Sequence, residues 1–409
     1  MNRTLSVFFF LSLFVAVSLA GAQYRPKVLP GIDVLLREKA DLVAGKRLGL
    51  ITNPTGFTAD LRTTIDALTA DPRVQLVALF GPEHGVRGDM KGGQKVQTFI
   101  DRKTGIPVYS LYGDVRKPTP AMLKDVDALL FDIQDIGVRP YTYIYTMALA
   151  MQAAAEKGIP FLVLDRPNPM GGELVEGPVL EEKFKSFIGL YPIPYVHGMT
   201  VGELARLFNE EYGIGCDLIV VPMKGWRRSM LYRDTGLLWV PTSPHVPRAE
   251  SCFWVAATGG LGELGTLSEG VGTPLPFEIC GAPWIDGDKL ADALNSLHLP
   301  GVFFRSLYFR PYYFRFQDEL CGGVQIHITN FHTFRPMRTQ ITILTAIRDL
   351  FPAHDYFADS DRILSFDRAM GTDQVRKAIQ TGKSADDIIA SWQDKLEEFK
   401  KIREKYLLY

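Results

Sequence analysis

Val74-Gln75-Leu76-Val77-Ala78-Leu79-Phe80 runs directly into Gly81-Pro82-Glu83-His84-Gly85. A strand-length apolar run that stops at a Gly/Pro-bracketed Glu-His pair reads as a buried parallel strand. It delivers an acid and an imidazole to one edge of a sheet on a stiff, tight turn. That edge is where α/β proteins usually bind ligands. The same five residues also suit a polar turn that merely reverses the chain.

The flanking sequence repeats the pattern. Upstream, Arg47 to Thr52 forms an apolar strand, Asn53-Pro54-Thr55-Gly56 a turn, and Leu61, Ile65 and Leu68 recur at helical spacing. Downstream come a strand from Pro107 to Tyr112, a short helix around Pro120 to Val126, and a strand from Ala128 to Ile133. A long helix from about Tyr141 to Lys157 and strands at Pro160 to Arg166 and Asp217 to Pro222 complete the series. Apolar strands alternating with helices predict an α/β fold, with a Rossmann-like parallel sheet in the N-terminal domain. In order, the strands end on Asn53; on Glu83, His84 and Arg87; on Tyr112; on Asp132, Gln134, Asp135 and Arg139; and on Asp165, Arg166 and Asn168. In a parallel sheet these ends share one side, so the polar groups line one crevice. Singly, each carboxylate also fits a helix cap or a pair with Arg139 or Arg166. No GxGxxG follows the first strand and there is no Walker lysine motif, so no nucleotide cofactor is expected.

The 409 residues are 46% hydrophobic, with 45 basic against 46 acidic side chains. Such a chain can bury one large core or two, and its balanced charge excludes a nucleic-acid partner. Arg3, the apolar run Leu5 to Leu19 and Ala20-Gly21-Ala22 read as a signal peptide over residues 1–22, which predicts an exported protein, periplasmic or secreted. An uncleaved anchor is the alternative, although the run is shorter than a membrane span, and no later segment qualifies as one. The Rossmann-like domain is expected over 23–240 and a smaller α+β domain over 241–409. The boundary falls where prolines cluster in Pro241-Thr242-Ser243-Pro244-His245-Val246-Pro247. Cys216, Cys252, Cys280 and Cys321 show no metal-finger spacing and read as buried thiols first, a bridge second.

Thr200 and Glu203 form a capping box for the helix Val201 to Tyr212, which leaves His197 as the site candidate of that segment. The glycine-rich stretch Gly259 to Gly272, with Glu263 and Glu269, reads as a lid or a close-approach loop. Val302 to Phe316 is an extended aromatic run. In the strand Gly323 to Asn330, His327 falls on the outward face, and no second ligand is spaced to make a metal site with it. From Ser384, apolar residues recur every three to four positions to Tyr406, which predicts one docking helix.

Taken together, the motifs resemble those of the NamZ-type exo-β-N-acetylmuramidases. The resemblance is carried by Phe80-Gly81-Pro82-Glu83-His84-Gly85 with Arg87-Gly88, by Pro107-Val108-Tyr109-Ser110-Leu111-Tyr112-Gly113, and by Phe131-Asp132-Ile133-Gln134-Asp135-Ile136-Gly137. It continues through Arg139 and Tyr141-Thr142-Tyr143, Leu164-Asp165-Arg166-Pro167-Asn168-Pro169, and His197-Gly198-Met199-Thr200. Ser268-Glu269-Gly270, Gly281-Ala282-Pro283-Trp284 and the terminal Tyr406-Leu407-Leu408-Tyr409 extend it to the end of the chain. It implies hydrolysis of a β-1,4 bond that releases N-acetylmuramic acid from the non-reducing ends of peptidoglycan fragments. The chain departs from the family at Ser243-Pro244-His245, where Ser-Pro-Asn is usual, and at Gly270-Val271-Gly272-Thr273, where Gly-Arg-Gly-Thr is usual. The lost arginine removes a fork suited to a substrate carboxylate.

Glycoside hydrolysis needs a proton donor on the leaving oxygen and a second carboxylate. Glu83 on its stiff loop is the expected donor, with His84 beside it to orient it. Asp132 and Asp135 are the leading pair for the second group, and Glu269 is the fallback. Arg87, Arg139 and Arg166 are candidates for the lactyl carboxylate, Tyr141 and Tyr143 for an aromatic surface against the sugar, and Asn53, Asn168 and His197 for hydroxyls or the acetamido group. Gln134 and Asp165 line the same crevice. No metal is expected. Two other classes share these features: a serine-type ester or amide hydrolase, against which the lack of a GxSxG elbow counts, and a non-catalytic exported sugar-binding protein.

Overall fold

A computed structural model describes residues 26–83, 85–88 and 98–409; the signal segment expected over 1–22 and His84 lie outside the described residues. The N-terminal half contains α1 (Gly31–Glu38), β1 (Arg47–Thr52), α2 (Thr64–Thr69), β2 (Gln75–Gly81), β3 (Phe99–Ile100), β4 (Pro107–Ser110) and β5 (Ala128–Asp132). It continues with α3 (Tyr143–Lys157), β6 (Phe161–Leu164), β7 (Glu176–Val179), β8 (Pro194–Val196), α4 (Val201–Glu210) and β9 (Leu218–Val221).

Seven of these strands form one sheet in the order β3-β4-β2-β1-β5-β6-β9. All neighbours are parallel except β3, which pairs antiparallel with β4 at the edge. Without β3 this is the doubly wound Rossmann order, in which strand addition reverses direction between β1 and β5. In doubly wound sheets the ligand crevice lies above the carboxyl ends of the strands at this reversal, here where Thr52 registers against Asp132. Strands β5 and β6 are buried at every position, as their continuous apolar sequence requires.

The C-terminal half contains α5 (Ser251–Gly262), β10 (Ile279–Ala282), α6 (Gly287–Ser296), β11 (Val302–Phe309), β12 (Cys321–Ile328) and α7 (Pro336–Leu350). It ends in α8 (Ser360–Met370), α9 (Gln374–Gln380), α10 (Ala385–Ala390) and α11 (Gln393–Glu404). Its antiparallel sheet has the order β10-β12-β11. A single apolar cluster runs from Phe80 and Phe131 in the first sheet to Ile341 on α7 and Phe399 on α11, so both halves pack on a shared core. All four cysteines are buried, free thiols. Among the described residues no helix is long and apolar enough to cross a membrane.

Several local expectations change. Pro120 to Val126 forms turns rather than a helix. Leu61 is half-exposed at φ 65° and lies outside α2, which starts only after the Thr63 cap. Gly259 to Gly262 is the last turn of α5, not a loop. A Cβ on Gly260 would stand 1.9 Å from Gln340 Oε1, so glycine there permits the close approach of α5 and α7. The terminal helix is capped by Ser384 as its sequence predicts, but it breaks at Ser391-Trp392. The break turns α10 onto α7 and α11 onto β7 while Trp392 stays buried.

The chain end returns to the first sheet through Asp165. This fully buried carboxylate accepts from Tyr409 Oη (2.7 Å), Thr200 Oγ1 (2.8 Å) and the Gly202 and Arg166 amides (2.8 and 2.9 Å). Tyr409 Oη in turn accepts from the Met223 amide at 2.7 Å. Asp165 thus fastens the C-terminus to β6 and α4 instead of facing the crevice. Burial pushes its carboxyl up to about 7 from 3.8, against the pull of Gly202, Tyr409 and Thr200. Between those values the folded chain holds a proton that the unfolded chain releases, so this group's contribution to stability falls as pH rises from about 4 to about 7. Asp165→Asn should therefore be less destabilising, relative to wild type, at pH 8 than at pH 5. Urea denaturation of both proteins at the two pH values measures this.

Candidate functional site

The loops after β1 and β5 are joined through short side chains. Asn53 Oδ1 accepts from the amide and hydroxyl of Thr55 (2.9 and 2.5 Å), and Thr55 Oγ1 accepts from the Gln134 amide (2.9 Å). Gln134 Nε2 donates to the carbonyls of Asp135 and Pro167, both at 2.7 Å. Asp135 Oδ2 accepts from the Gly137 amide at 2.7 Å. Gly137 is required there: it has φ +86°, and a Cβ would meet Asn168 Oδ1 at 2.6 Å. At the start of α3, Tyr143 Oη donates to the Thr242 carbonyl (2.8 Å), and the Tyr141 ring packs edge-on against Tyr143 at 4.9 Å. His197 Nδ1 accepts from the Met199 amide (3.2 Å), so the ring carries its proton on Nε2, 3.7 Å from Asp135 Oδ2.

Among the described residues these bonds leave a set of buried polar atoms unpaired: Asn53 Nδ2, Gln134 Oε1, Asp135 Oδ1, Tyr141 Oη, His197 Nε2 and Thr242 Oγ1. Each such atom costs about 1–3 kcal/mol when nothing satisfies it. They are linked through shared neighbours, since Tyr141 and Tyr143 both feel the charge of Asp135, and Tyr141 faces Thr242 and Ser243 without completing a bond. A fold has no structural use for so many open donors and acceptors in one place; a polar ligand does. Glu83, half-buried after β2, joins them. Its carboxylate lies close enough to the Tyr112 and Tyr143 hydroxyls to perturb both. Burial first, and Glu83 second, raise the Tyr112 hydroxyl above its ordinary pKa.

The remaining candidates are engaged elsewhere. Asp132 is fully buried, and Arg166 grips it in a fork, Nε to Oδ1 at 2.5 Å and Nη2 to Oδ2 at 2.9 Å. Thr64 Oγ1 also donates to it, and Arg166 Nη2 reaches the Phe57 carbonyl (2.8 Å). Asp132 therefore has no oxygen open to a substrate, which leaves Asp135 from the expected carboxylate pair. Arg139 is buried and donates to the carbonyls of Pro178, Ile193 and Ala369 (3.0, 3.2 and 2.5 Å), bridging the two halves, and burial pushes it down to about 10. Arg87 grips Asp101 at 2.6 and 2.9 Å and holds that carboxyl well below the usual range. The three arginines expected at a substrate carboxylate thus all make structural contacts. Asn168 closes its own loop, with Nδ2 to the Met199 carbonyl and Oδ1 to the Met170 amide, both at 3.0 Å. Glu269 is buried against Arg315 at 2.9 Å, in the C-terminal half.

Thr242 and Ser243 are the additions that sequence reasoning missed. The proline cluster around them reads as a rigid crossing, and that rigidity is what holds a carbonyl and two hydroxyls against α3. Tyr112 carried the signal of its strand end but no assigned role. Among the described residues no group of histidine, cysteine, aspartate and glutamate is arranged to hold a metal ion.

Comparison with known proteins places the chain in a family. The family model described as exo-β-N-acetylmuramidase NamZ, N-terminal, matches residues 48–250, and its C-terminal counterpart matches residues 256–409. The chain is 52% identical over 385 residues to the peptidoglycan β-N-acetylmuramidase NamZ of Bacillus subtilis (strain 168), covering 94% of this chain and 92% of that protein. Two crystal structures of DUF1343 family proteins from Bacteroides fragilis share the fold. One has a TM-score of 0.90 at 46% identity, covering 94% of this chain and 100% of its own. The other has a TM-score of 0.75 at 34% identity, covering 93% and 99%.

The contrast between the two aspartates is testable without a substrate. Asp132→Ala strands the buried Arg166 guanidinium and should lower stability by about 3–5 kcal/mol. Asp135→Asn keeps the Gly137 contact and should change it by less than about 1 kcal/mol. Chemical denaturation of the two variants measures the difference.

Proposed function

Because the chain belongs to the exo-β-N-acetylmuramidase NamZ family, we propose that it is a glycosidase that removes N-acetylmuramic acid from the non-reducing ends of peptidoglycan fragments. Glu83 is its proton donor and Asp135 its second carboxylate. The observation that carries this reading is that the buried polar atoms left open on Asn53, Gln134, Asp135, Tyr141, His197 and Thr242 gather where the ends of β1 and β5 meet, with Glu83 just past the end of the neighbouring strand β2.

The chemistry follows from those groups. The glycosidic C–O bond breaks as Glu83 passes its proton to the leaving oxygen, and positive charge develops at the anomeric carbon. Asp135, with one unpaired oxygen, faces that charge and either attacks the carbon or takes a proton from the incoming water. His197 Nε2–H, 3.7 Å from Asp135 Oδ2, steadies the carboxylate as the reaction proceeds. The open donors and acceptors match an N-acetylated sugar: the Asn53 amide donates, Gln134 Oε1 accepts, and the hydroxyls of Tyr141 and Thr242 do either. With Arg87, Arg139 and Arg166 engaged, Asn53 Nδ2 is an open donor for the lactyl carboxylate among the described residues. Export by the signal segment expected over residues 1–22 would bring the enzyme to cell-wall glycans.

Hydrolysis of an aryl N-acetylmuraminide tests the assignment. Glu83→Gln should lower kcat by about 10²–10⁴-fold, and Asp135→Asn by at least about 10²-fold, with each fold intact. Unchanged turnover in Glu83→Gln would remove Glu83 from the acid role. Tight binding of muramyl sugars by wild type with no product would favour a sugar-binding protein instead. Proton NMR of the released sugar, followed from the first minutes, reads out whether the anomeric configuration is retained.

A further inference from the structure

The connection from β11 to β12 is strained in a way that simple chain reversal does not need. Phe314, Phe316 and Asp318 hold φ values of 71°, 56° and 62°. These lie in the left-handed region that residues with a Cβ seldom occupy, and such strain persists only where surrounding contacts impose it. Here they do. The Tyr312 amide donates to the Gly272 carbonyl (2.7 Å), the Asp318 amide to the Pro311 carbonyl (2.9 Å), and Arg310 Nη1 to the Asp318 carbonyl (2.6 Å). Arg315 turns inward and bonds to Glu269 Oε2 (2.9 Å), the Gly262 carbonyl (2.7 Å) and the Leu267 carbonyl. Gly272, at φ +92°, presses so closely on the Tyr313 carbonyl that a Cβ would stand 2.0 Å from it.

The effect of these pins is to hold three consecutive aromatic rings outward: Tyr312, Tyr313 and Phe314 are 72%, 51% and 58% exposed. An apolar patch held in solvent on a rigid, strained backbone marks a contact surface. Its position says which one. Tyr313 Oη bonds to His245 Nε2 at 2.9 Å, with the rings nearly parallel at 27°. His245 lies three residues beyond Thr242, whose carbonyl receives Tyr143 Oη and whose hydroxyl is one of the unpaired atoms of the crevice. The aromatic patch thus continues the wall of the site outward.

We propose that Tyr312, Tyr313 and Phe314 form a platform for the glycan chain on the leaving side of the scissile bond. This rests on the glycosidase reading above. A crevice that takes one terminal sugar must let the rest of the chain leave along its rim, and the rim on this side is the aromatic loop. Pyranose rings present flat C–H faces that pack on aromatic rings, with hydroxyls at their edges for the tyrosine tips. Glu269 then acts as a positioning residue: through Arg315 it fixes the loop that displays the rings.

The test compares an aryl N-acetylmuraminide, which has no sugar beyond the bond, with a peptide-free peptidoglycan tetrasaccharide. Both side chains are exposed, so Tyr312→Ala/Phe314→Ala should leave the fold intact, and thermal melting checks that. The double variant should lose about tenfold in kcat/KM on the tetrasaccharide, through KM, and nothing on the aryl substrate. Equal loss on both, no loss on either, or a loss seen only when stem peptides are attached would overturn the platform. If wild type cleaves neither substrate, the glycosidase reading fails on its own. Calorimetric titration of the tetrasaccharide then decides the platform: weaker binding by the double variant supports it, and equal binding overturns it.

Discussion

The buried fork between Arg166 and Asp132 is the constraint on which the crevice depends. Asp132 ends β5, registers against Thr52 at the end of β1, and takes the Thr64 hydroxyl at the start of α2. Arg166, at the end of β6, closes on it from the other side and holds the Phe57 carbonyl of the first loop. One ion pair therefore ties together the ends of β1, β5 and β6 at the point where strand addition reverses. Removing either partner would leave an uncompensated charge in the core, so the pair sets the floor of the crevice rigidly. That role is also why Asp132 has no capacity left for chemistry.

Above that floor the rule inverts. At the floor, both oxygens of Asp132 are taken by Arg166 and Thr64; in the crevice, Asn53, Gln134, Asp135, Tyr141, His197 and Thr242 each keep an atom unpaired among the described residues. Asn53, Gln134, Asp135 and His197 are each held through a second side-chain atom, and Tyr141 through its ring, so their open atoms point in fixed directions. Preorganised, unsatisfied dipoles are what a site needs to recognise a polar ligand without reorganising as it binds. Elsewhere the hydrogen bonds of Asp165 to Tyr409, Thr200 and Gly202 tie the end of the chain back to β6.

The C-terminal half contributes more than support. Its buried Glu269 and Arg315 form a strut under a strained loop, and the proline-bounded segment containing Thr242 and His245 joins that loop to the crevice. The carboxylate that sequence alone offers as a spare catalytic group thereby has a positional task.

How much of this was legible beforehand follows from the range of each interaction. The strands were legible because burial on both faces of a parallel sheet demands continuous apolar runs, and the caps at Thr200 and Ser384 because a cap acts within one turn. The polar strand ends were legible as a group, because parallel strands must present them on one side. Within that group the sequence could not separate Asp132 from Asp135, three residues apart. The difference between them is an arginine 34 residues away in the chain, and only folding brings it into contact. The same holds for Arg139, whose carbonyl partners come from both halves, and for Thr242, which reaches α3 across 99 residues. Local sequence determined the elements and the chemistry on offer at one sheet edge. Tertiary structure decided which of those groups are consumed in holding the fold and which are left open, because pairing depends on distances that the order of residues does not contain.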